Sequence, residues 1–229
     1  MPVAVVTGGG SGIGAACVAA LARRSVRSAV LDVQPTVGGA AALGLVVDVR
    51  DRHGVAAALE RVEAELGPID FLVTAAGYYE AAELPAIDDH AWRDMLDVHV
   101  RGTANAWRAV LPGMLARGRG GICAIGSELG LCGDPCAPHY AAAKGAIHAM
   151  TKSLAAELAA TGVRVNCVAP GPTDTPLLGN DPNAPGYPAG LPLGRVLSAA
   201  EIAGAVCFCL LEETNFVGQV ISPNGGAVV

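Results

Sequence analysis

Tyr140 and Lys144 stand four residues apart in Tyr140-Ala-Ala-Ala-Lys144, and Ser127 lies thirteen residues upstream. On a helix that spacing puts phenol and ammonium on one face. A cation beside a phenol favours phenolate, drawing an acid of ordinary pKa about 10 toward the working range of a general acid/base. A serine hydroxyl from a neighbouring segment can hydrogen-bond the same substrate oxygen. Together the three groups suit proton exchange with an alcohol or a ketone. A solitary Tyr-x-x-x-Lys is more often a surface pair, so its surroundings decide. Residues 121–127 read as a buried strand ending in small residues, where a parallel sheet presents its site.

The elements that must position these groups follow from the first residues onward. Val3-Ala-Val-Val-Thr7 is a short β-rich run, Gly8-Gly-Gly-Ser-Gly-Ile-Gly14 a glycine turn, and an alanine-rich helical stretch runs on to Arg24. Strand, glycine turn and helix form a phosphate-binding unit, in which Gly8, Ser11, Gly12, Ile13 and Gly14 let backbone N–H groups approach a pyrophosphate. The second strand, 28–33, carries Asp32 eighteen residues past Gly14. There a carboxylate accepts from both hydroxyls of an adenosine ribose and repels a 2′-phosphate, which selects NAD over NADP. A third strand, 45–49, ends at Asp48-Val49; Asp48 either accepts from an adenine amino group or caps the helix near Arg52.

Further along, a helix over 55–66 stops at Gly67-Pro68, and a fourth strand over 69–74 closes on Ala75-Ala76-Gly77, where small residues admit a ligand to the backbone. Tyr78 and Tyr79 follow, placed to touch substrate. A long helix over 90–111 carries Trp92, Leu96, His99, Thr103 and Trp107 on related faces. His99 is either a structural hydrogen-bonder or part of the chemistry. A helix from Tyr140 to about Thr161 precedes a sixth strand over 163–168, ending at Ala169-Pro170-Gly171. Residues 172–192 are rich in Pro and Gly and read as a loop, the start of a substrate lid spanning roughly 172–197. A helix over 198–211 and a last strand over 218–222 complete one domain, 1–229.

Composition narrows the function classes. The chain has 229 residues, 52% hydrophobic and 16% charged, which excludes disorder and suits one domain with a large core. Net charge is −6 without a basic run, which argues against nucleic acid or a membrane as partner. No apolar run reaches the ~20 residues of a spanning helix, and a first strand beginning at Val3 leaves no room for a leader. The seven cysteines form no Cys-x-x-Cys pair, so no metal is expected, and reduced thiols suit a cytoplasmic protein. Cys132 and Cys136 fall after Ser127, where they either line a pocket or pack.

Taken together, Thr7 to Gly14, Asp48-Val49, Ala75-Ala76-Gly77, Ser127, Tyr140 with Lys144, Arg164-Val-Asn166, Pro170-Gly171 and Gly225-Gly226 make the chain resemble the short-chain dehydrogenase/reductase family over essentially its whole length. The resemblance implies an α/β fold, a Rossmann-like doubly wound parallel sheet with helices on both faces, in a homotetramer or homodimer. It implies that Tyr140 is the general acid/base, that Ser127 orients the substrate oxygen, and that Lys144 lowers the tyrosine pKa and holds the nicotinamide ribose. Thr175 would bind the carboxamide, with the Thr173 backbone. Thr74 stands where the family has the asparagine of Asn-Ala-Gly, and His99 stands where it has the helix asparagine of the catalytic tetrad; a proton relay through His99 is the expectation that follows. A pocket of Tyr78, Tyr79, Glu128, Leu129, Cys132, Pro172, Leu177, Leu178 and Tyr187 is mostly apolar, suiting an apolar secondary alcohol or cyclic diol oxidised with NAD. Two rivals remain. A 3-oxoacyl-carrier-protein reductase would want NADPH, against Asp32, and a basic residue where Thr161 stands, although Arg117 and Arg119 keep positive charge nearby. A non-catalytic NAD-binding regulator would ordinarily have lost Tyr140 or Lys144.

Overall fold

Seven parallel strands form the spine of the molecule, in the order β3-β2-β1-β4-β5-β6-β9. They are β1 (Val3–Thr7), β2 (Arg27–Asp32), β3 (Leu43–Val46), β4 (Ile69–Thr74), β5 (Gly120–Ile125), β6 (Val163–Val168) and β9 (Val220–Ile221). Two-residue strands β7 (Thr173–Asp174) and β8 (Leu197–Ser198) pair with each other outside this sheet. The computed structural model describes residues 1–35, 39–178, 191–211 and 215–228.

Both faces of the sheet are covered, which is why its central strands are apolar throughout rather than alternating. Along β1, Val3 and Val5 face helices α2 (Arg52–Leu66), α4 (Gly102–Arg117) and α6 (Pro138–Leu158), meeting Val55, Val110 and Ile147 among others. Ala4 and Val6 face α1 (Gly12–Ala22) and α7 (Ala199–Leu211), with Leu21, Ile202 and Val206. Leu31, Leu72 and Ile122 are at most 1% exposed; burial of each such side chain contributes about 1.5–3 kcal/mol.

The strand order places the site. The chain moves outward from β1 through β2 to β3, then returns through α2 to set β4 on the other side of β1. Thr7 at the end of β1 is therefore in register with Leu31 on one side and Thr74 on the other. Connections part company there, leaving a crevice beyond the carboxyl ends of the strands.

Several boundaries differ from the sequence reading, each for a local reason. β3 covers Leu43–Val46, earlier than the apolar run 45–49, because Val47 donates to Asp32 O (2.8 Å) and the chain then leaves the ladder. The cap of α2 is Asp51, which accepts from His53 N; Asp48 does not cap it. The helix expected over 90–111 is α3 (Asp89–Leu96), a π turn (Asp97–Arg101) and α4 in one continuous run. The wider turn carries the buried His99, and α3 the buried Met95, while Trp92 and Leu96 stay half-buried. The expected lid 172–197 has β7 and β8 near its ends, held together by Leu197 N donating to Pro172 O (3.0 Å).

Candidate active site

At the switch point lies a cleft of about 850 Å³, which every residue expected at the cofactor borders. Its floor is the glycine turn. Gly8 has φ +66°, and a Cβ there would stand 2.6 Å from Ala76 Cα. Only glycine lets β1 pass that close to the end of β4. Thr7 fixes the same junction, its backbone oxygen accepting from Ala75 N (3.1 Å) and its hydroxyl from Ala76 N (3.3 Å). Ser11 precedes α1 in an extended conformation and its side chain makes no cap. The first N–H groups of α1 are thus left for an anion, and the helix dipole favours one. Gly12, with φ +50°, faces Thr175 across the cleft, where an added Cβ would lie 3.4 Å from the threonine Cβ. A narrow cradle with glycines on one wall and donors at its end fits the pyrophosphate of a nicotinamide dinucleotide.

Asp32 and Asp48 mark the far end of that cradle. One Asp32 oxygen accepts from Gly10 N and the other from Gln34 N, both at 3.0 Å, so the carboxylate is set at the tip of β2 with lone pairs to spare. Asp48 is gripped by Arg50 through Nε at 3.0 and 3.1 Å and Nη2 at 2.8 Å; that hydrogen bonding holds its carboxyl below the usual range. Arg50, which also bridges Asp94 at 3.6 Å, lines the cleft and was not singled out in the sequence.

The three chemical groups converge at the middle of the cleft. α6 presents Tyr140 and Lys144, both buried, while Ser127 follows β5. Lys144 Nζ donates to Ile125 O (2.9 Å) and lies 5.5 Å from the Tyr140 ring centroid. Burial brings the lysine down to about 8. Burial also pushes Tyr140 up to about 12, opposed by a hydrogen bond with Ser127 and reinforced by Glu128 and Asp134. The i,i+4 spacing alone suggests a phenol drawn down by its cation; here desolvation is the larger effect.

His99 packs edge-on to Tyr140, centroids 5.4 Å apart, and is 1% exposed. Its Nε2 lies 2.9 Å from Tyr78 O and 3.2 Å from Tyr78 N, and Nδ1 has no partner. Burial, aided by the Lys144 charge, pushes the imidazole down to about 3. Burial thus holds the ring in its neutral form, with Nε2 at the Tyr78 backbone.

Of the expected substrate pocket, Tyr78, Tyr79, Glu128, Leu129, Pro172, Leu177 and Leu178 line the cleft. Cys132 does not. It ends the short helix α5 (Leu129–Cys132), whose turn directs it outward, where it is exposed with Sγ 3.3 Å from Gly133 O. Tyr187 lies outside the described residues. Sequence reasoning passed over Asp134, whose Oδ2 accepts from the Tyr79 hydroxyl (3.0 Å) and Oδ1 from Cys136 N (2.8 Å). Tyr79 in turn sets its ring edge-on to Tyr140, at 5.1 Å. No local pattern announces a pair 55 residues apart. Among the described residues no group of His, Cys, Asp or Glu could hold a metal, and no helix is long and apolar enough to cross a membrane.

Comparison with known proteins agrees with this geometry. The family described as short chain dehydrogenase matches residues 2–185. The cis-4-hydroxycyclohexanecarboxylate dehydrogenase of Sinomonas cyclohexanicum is 38% identical, over 98% of this chain and 95% of the relative. The 3-oxoacyl-[acyl-carrier-protein] reductase FabG of Escherichia coli (strain K12) is 35% identical, over 98% and 96%. The crystal structure of gox2181 superposes with a TM-score of 0.91 at 30% identity, over 98% of this chain and 95% of that one. ElxO with NADP bound shares the fold at the same TM-score and 24% identity, over 98% of each chain. The chain belongs to the short-chain dehydrogenases, nicotinamide-dependent oxidoreductases that interconvert a CH–OH group and a carbonyl.

Proposed function

We propose that this protein is an NAD-dependent dehydrogenase that oxidises an apolar secondary alcohol or a cyclic diol to the ketone. The observation that carries the reading is the meeting of Ser127, Tyr140 and Lys144 at the centre of a cleft whose far end holds Asp32. When bound, the cofactor supplies the hydride acceptor. Ser127 holds the substrate hydroxyl in line with Tyr140, and the Tyr140 oxygen takes the hydroxyl proton as the carbinol hydrogen leaves with its electron pair. Lys144, pinned by Ile125 O, keeps positive charge beside the ring, where it favours phenolate. Gly8, Ser11, Gly12, Ile13 and Gly14 take the pyrophosphate. Asp48 and Val49 would hold the adenine, Ala75 to Gly77, Pro170 and Gly171 would border the cofactor, and Thr175 with the Thr173 backbone would hold the carboxamide. His99 supports the Tyr78 backbone and the edge of Tyr140.

Asp32 supports NAD because a 2′-phosphate on the ribose would meet a carboxylate already fixed by two backbone donors. The similarity to an acyl-carrier-protein reductase favours a second reading with NADPH and thioester substrates. Against it, Thr161 spends its hydroxyl on Leu158 O (2.8 Å) and supplies no positive charge at that position. Turnover with NAD and with NADP on secondary alcohols, cyclic diols and 3-oxoacyl thioesters, wild type beside Tyr140→Phe, decides. NAD-dependent alcohol oxidation that is lost in the variant is expected. NADPH-dependent thioester reduction would promote the second reading, and binding of cofactor without turnover would leave a non-catalytic role. The exposed Leu115, Leu131, Phe208 and Val217 support a homotetramer or homodimer, measurable by light scattering. Seven unpaired cysteines support a cytoplasmic location, measurable by cell fractionation.

A further inference from the structure

Around Tyr140 the cleft is lined by two acids, Glu128 and Asp134, and one cation, Lys144. Glu128 follows Ser127 directly, with its backbone N–H donating to Pro170 O (2.9 Å). Its side chain lines the cleft and is 6% exposed, yet Oε2 has no hydrogen-bond partner. A Cβ on Gly171 would stand 2.7 Å from that oxygen, so the carboxyl fills the wall between Ser127 and the Pro170-Gly171 turn. Asp134, 9% exposed, is the second acid, already paired with Tyr79 and Cys136.

The cations of the cleft already have partners. Among the described residues the cleft is lined by two, Arg50 and Lys144. Arg50 bridges Asp48 and Asp94, and Lys144 donates to Ile125 O. Within 172–197 the sequence has one basic residue, Arg195, bound to Glu201 at 2.7 and 2.9 Å. Once Glu128 is ionised, an acyclic or cyclic alcohol bearing a carboxylate would face a buried charge of like sign. A buried oxygen with no donor instead calls for one from the ligand.

We propose that Glu128 is a specificity-determining residue that accepts a hydrogen bond from a second hydroxyl of the substrate, so that the enzyme takes neutral diols and rejects alcohols carrying a carboxylate. This rests on the redox reading above. It also separates the chain from the relative named for a hydroxycyclohexanecarboxylate. Rejection arises from a repulsive element, and selectivity built that way disappears when the element is neutralised.

The test compares cis-1,4-cyclohexanediol with cis-4-hydroxycyclohexanecarboxylate, two ligands of one ring and one geometry. Binding to the enzyme–NADH complex at pH 8.5, read from nicotinamide fluorescence, needs no hydride transfer, so it is independent of whether the alcohol is oxidised. The diol is expected to bind at least ~10-fold more tightly to the wild type. Glu128→Gln is expected to bring the two within ~3-fold, mainly by improving the carboxylate, while Glu128→Asp keeps the order. The kcat/KM ratio for the same pair with NAD should follow. Equal or tighter binding of the carboxylate by the wild type, a gap that survives Glu128→Gln, or no binding of the diol would overturn the proposal. Binding in the expected order without oxidation of either alcohol would overturn the redox reading instead.

Discussion

Replacing Glu128 by Gln should make the protein more stable at alkaline pH and leave it unchanged at acid pH. Burial pushes the Glu128 carboxyl up to about 7, from an ordinary value of 4.5. Below 4.5 folded and unfolded chains both carry the proton, and the residue contributes nothing to the pH dependence. Between 4.5 and 7 the unfolded chain releases the proton while the folded chain retains it, so stability falls as pH rises. Above 7 the loss is complete and constant. At 1.36 kcal/mol per pKa unit the full loss is at most about 3 kcal/mol, and about 2 kcal/mol once water reaching the cleft mouth is allowed for. Gln has the shape of the protonated acid and never ionises. Glu128→Gln should therefore match the wild type at pH 4.5 and gain about 2 kcal/mol by pH 8.5, an increase of roughly 4–8 °C in melting temperature for a chain of this size. The assay is thermal unfolding of both proteins, free of cofactor, from pH 4.5 to 8.5. His99, whose imidazole burial pushes down to about 3, weakens both proteins toward acid and cancels in the difference. Melting curves that stay parallel across this range would refute the reasoning, because they would mean that the ionised carboxyl costs nothing where it sits.

Three further perturbations probe the rest of the site. Asp32→Ala removes the carboxylate that accepts from Gly10 and Gln34; kcat/KM with NAD should fall ~10-fold or more and NADP should become a usable cofactor, as initial rates with each would register. His99→Asn should alter kcat but leave the midpoint of the kcat/KM–pH profile within ~0.3 unit between pH 6 and 9, since an imidazole titrating near 3 has no part in that range. Gly77→Ala should lower stability by about 1–3 kcal/mol in denaturant titration, because the added methyl overlaps Cε1 of the His99 ring, which is itself buried.

The parts of this molecule legible in its sequence are those fixed by short-range spacing. The glycine turn, Asp32 at the end of the second strand, and Tyr140 four residues before Lys144 each say where backbone or side chain must go before any long-range contact forms. What spacing could not supply was the partner across the fold. Asp134 meets Tyr79 because α5 and the turn after it carry the acid back over the strand ends, and Ala82 N donating to Cys136 O (2.6 Å) ties the same two loops. Cys132 lies four residues from Glu128, yet the turn of α5 sends one outward and leaves the other in the wall. The apolar run 45–49 looks like a single strand, but the pairing ends where Val47 N donates to Asp32 O, because β2 ends at Asp32.

The electrostatics of Tyr140 show the same divide in energetic form. Helical spacing requires Lys144 to come near the phenol, and it does, but spacing says nothing of what else competes for the ammonium. Ile125 O takes one of its hydrogen bonds, and the core that holds both groups removes the water that would have stabilised either charge. Burial moves the two residues in opposite directions, the phenol up to about 12 and the ammonium down to about 8, each toward its neutral form. A neutral phenol beside a partly neutral amine is a weak base. The same desolvation makes any charge placed in the cleft count for more. The positive charge that nicotinamide carries in its oxidised form would favour phenolate strongly at that point, coupling proton abstraction to the presence of the hydride acceptor. In the proposed role of Tyr140 as the base, its strength would be a property of the loaded cleft, with Ser127 acting in the same direction.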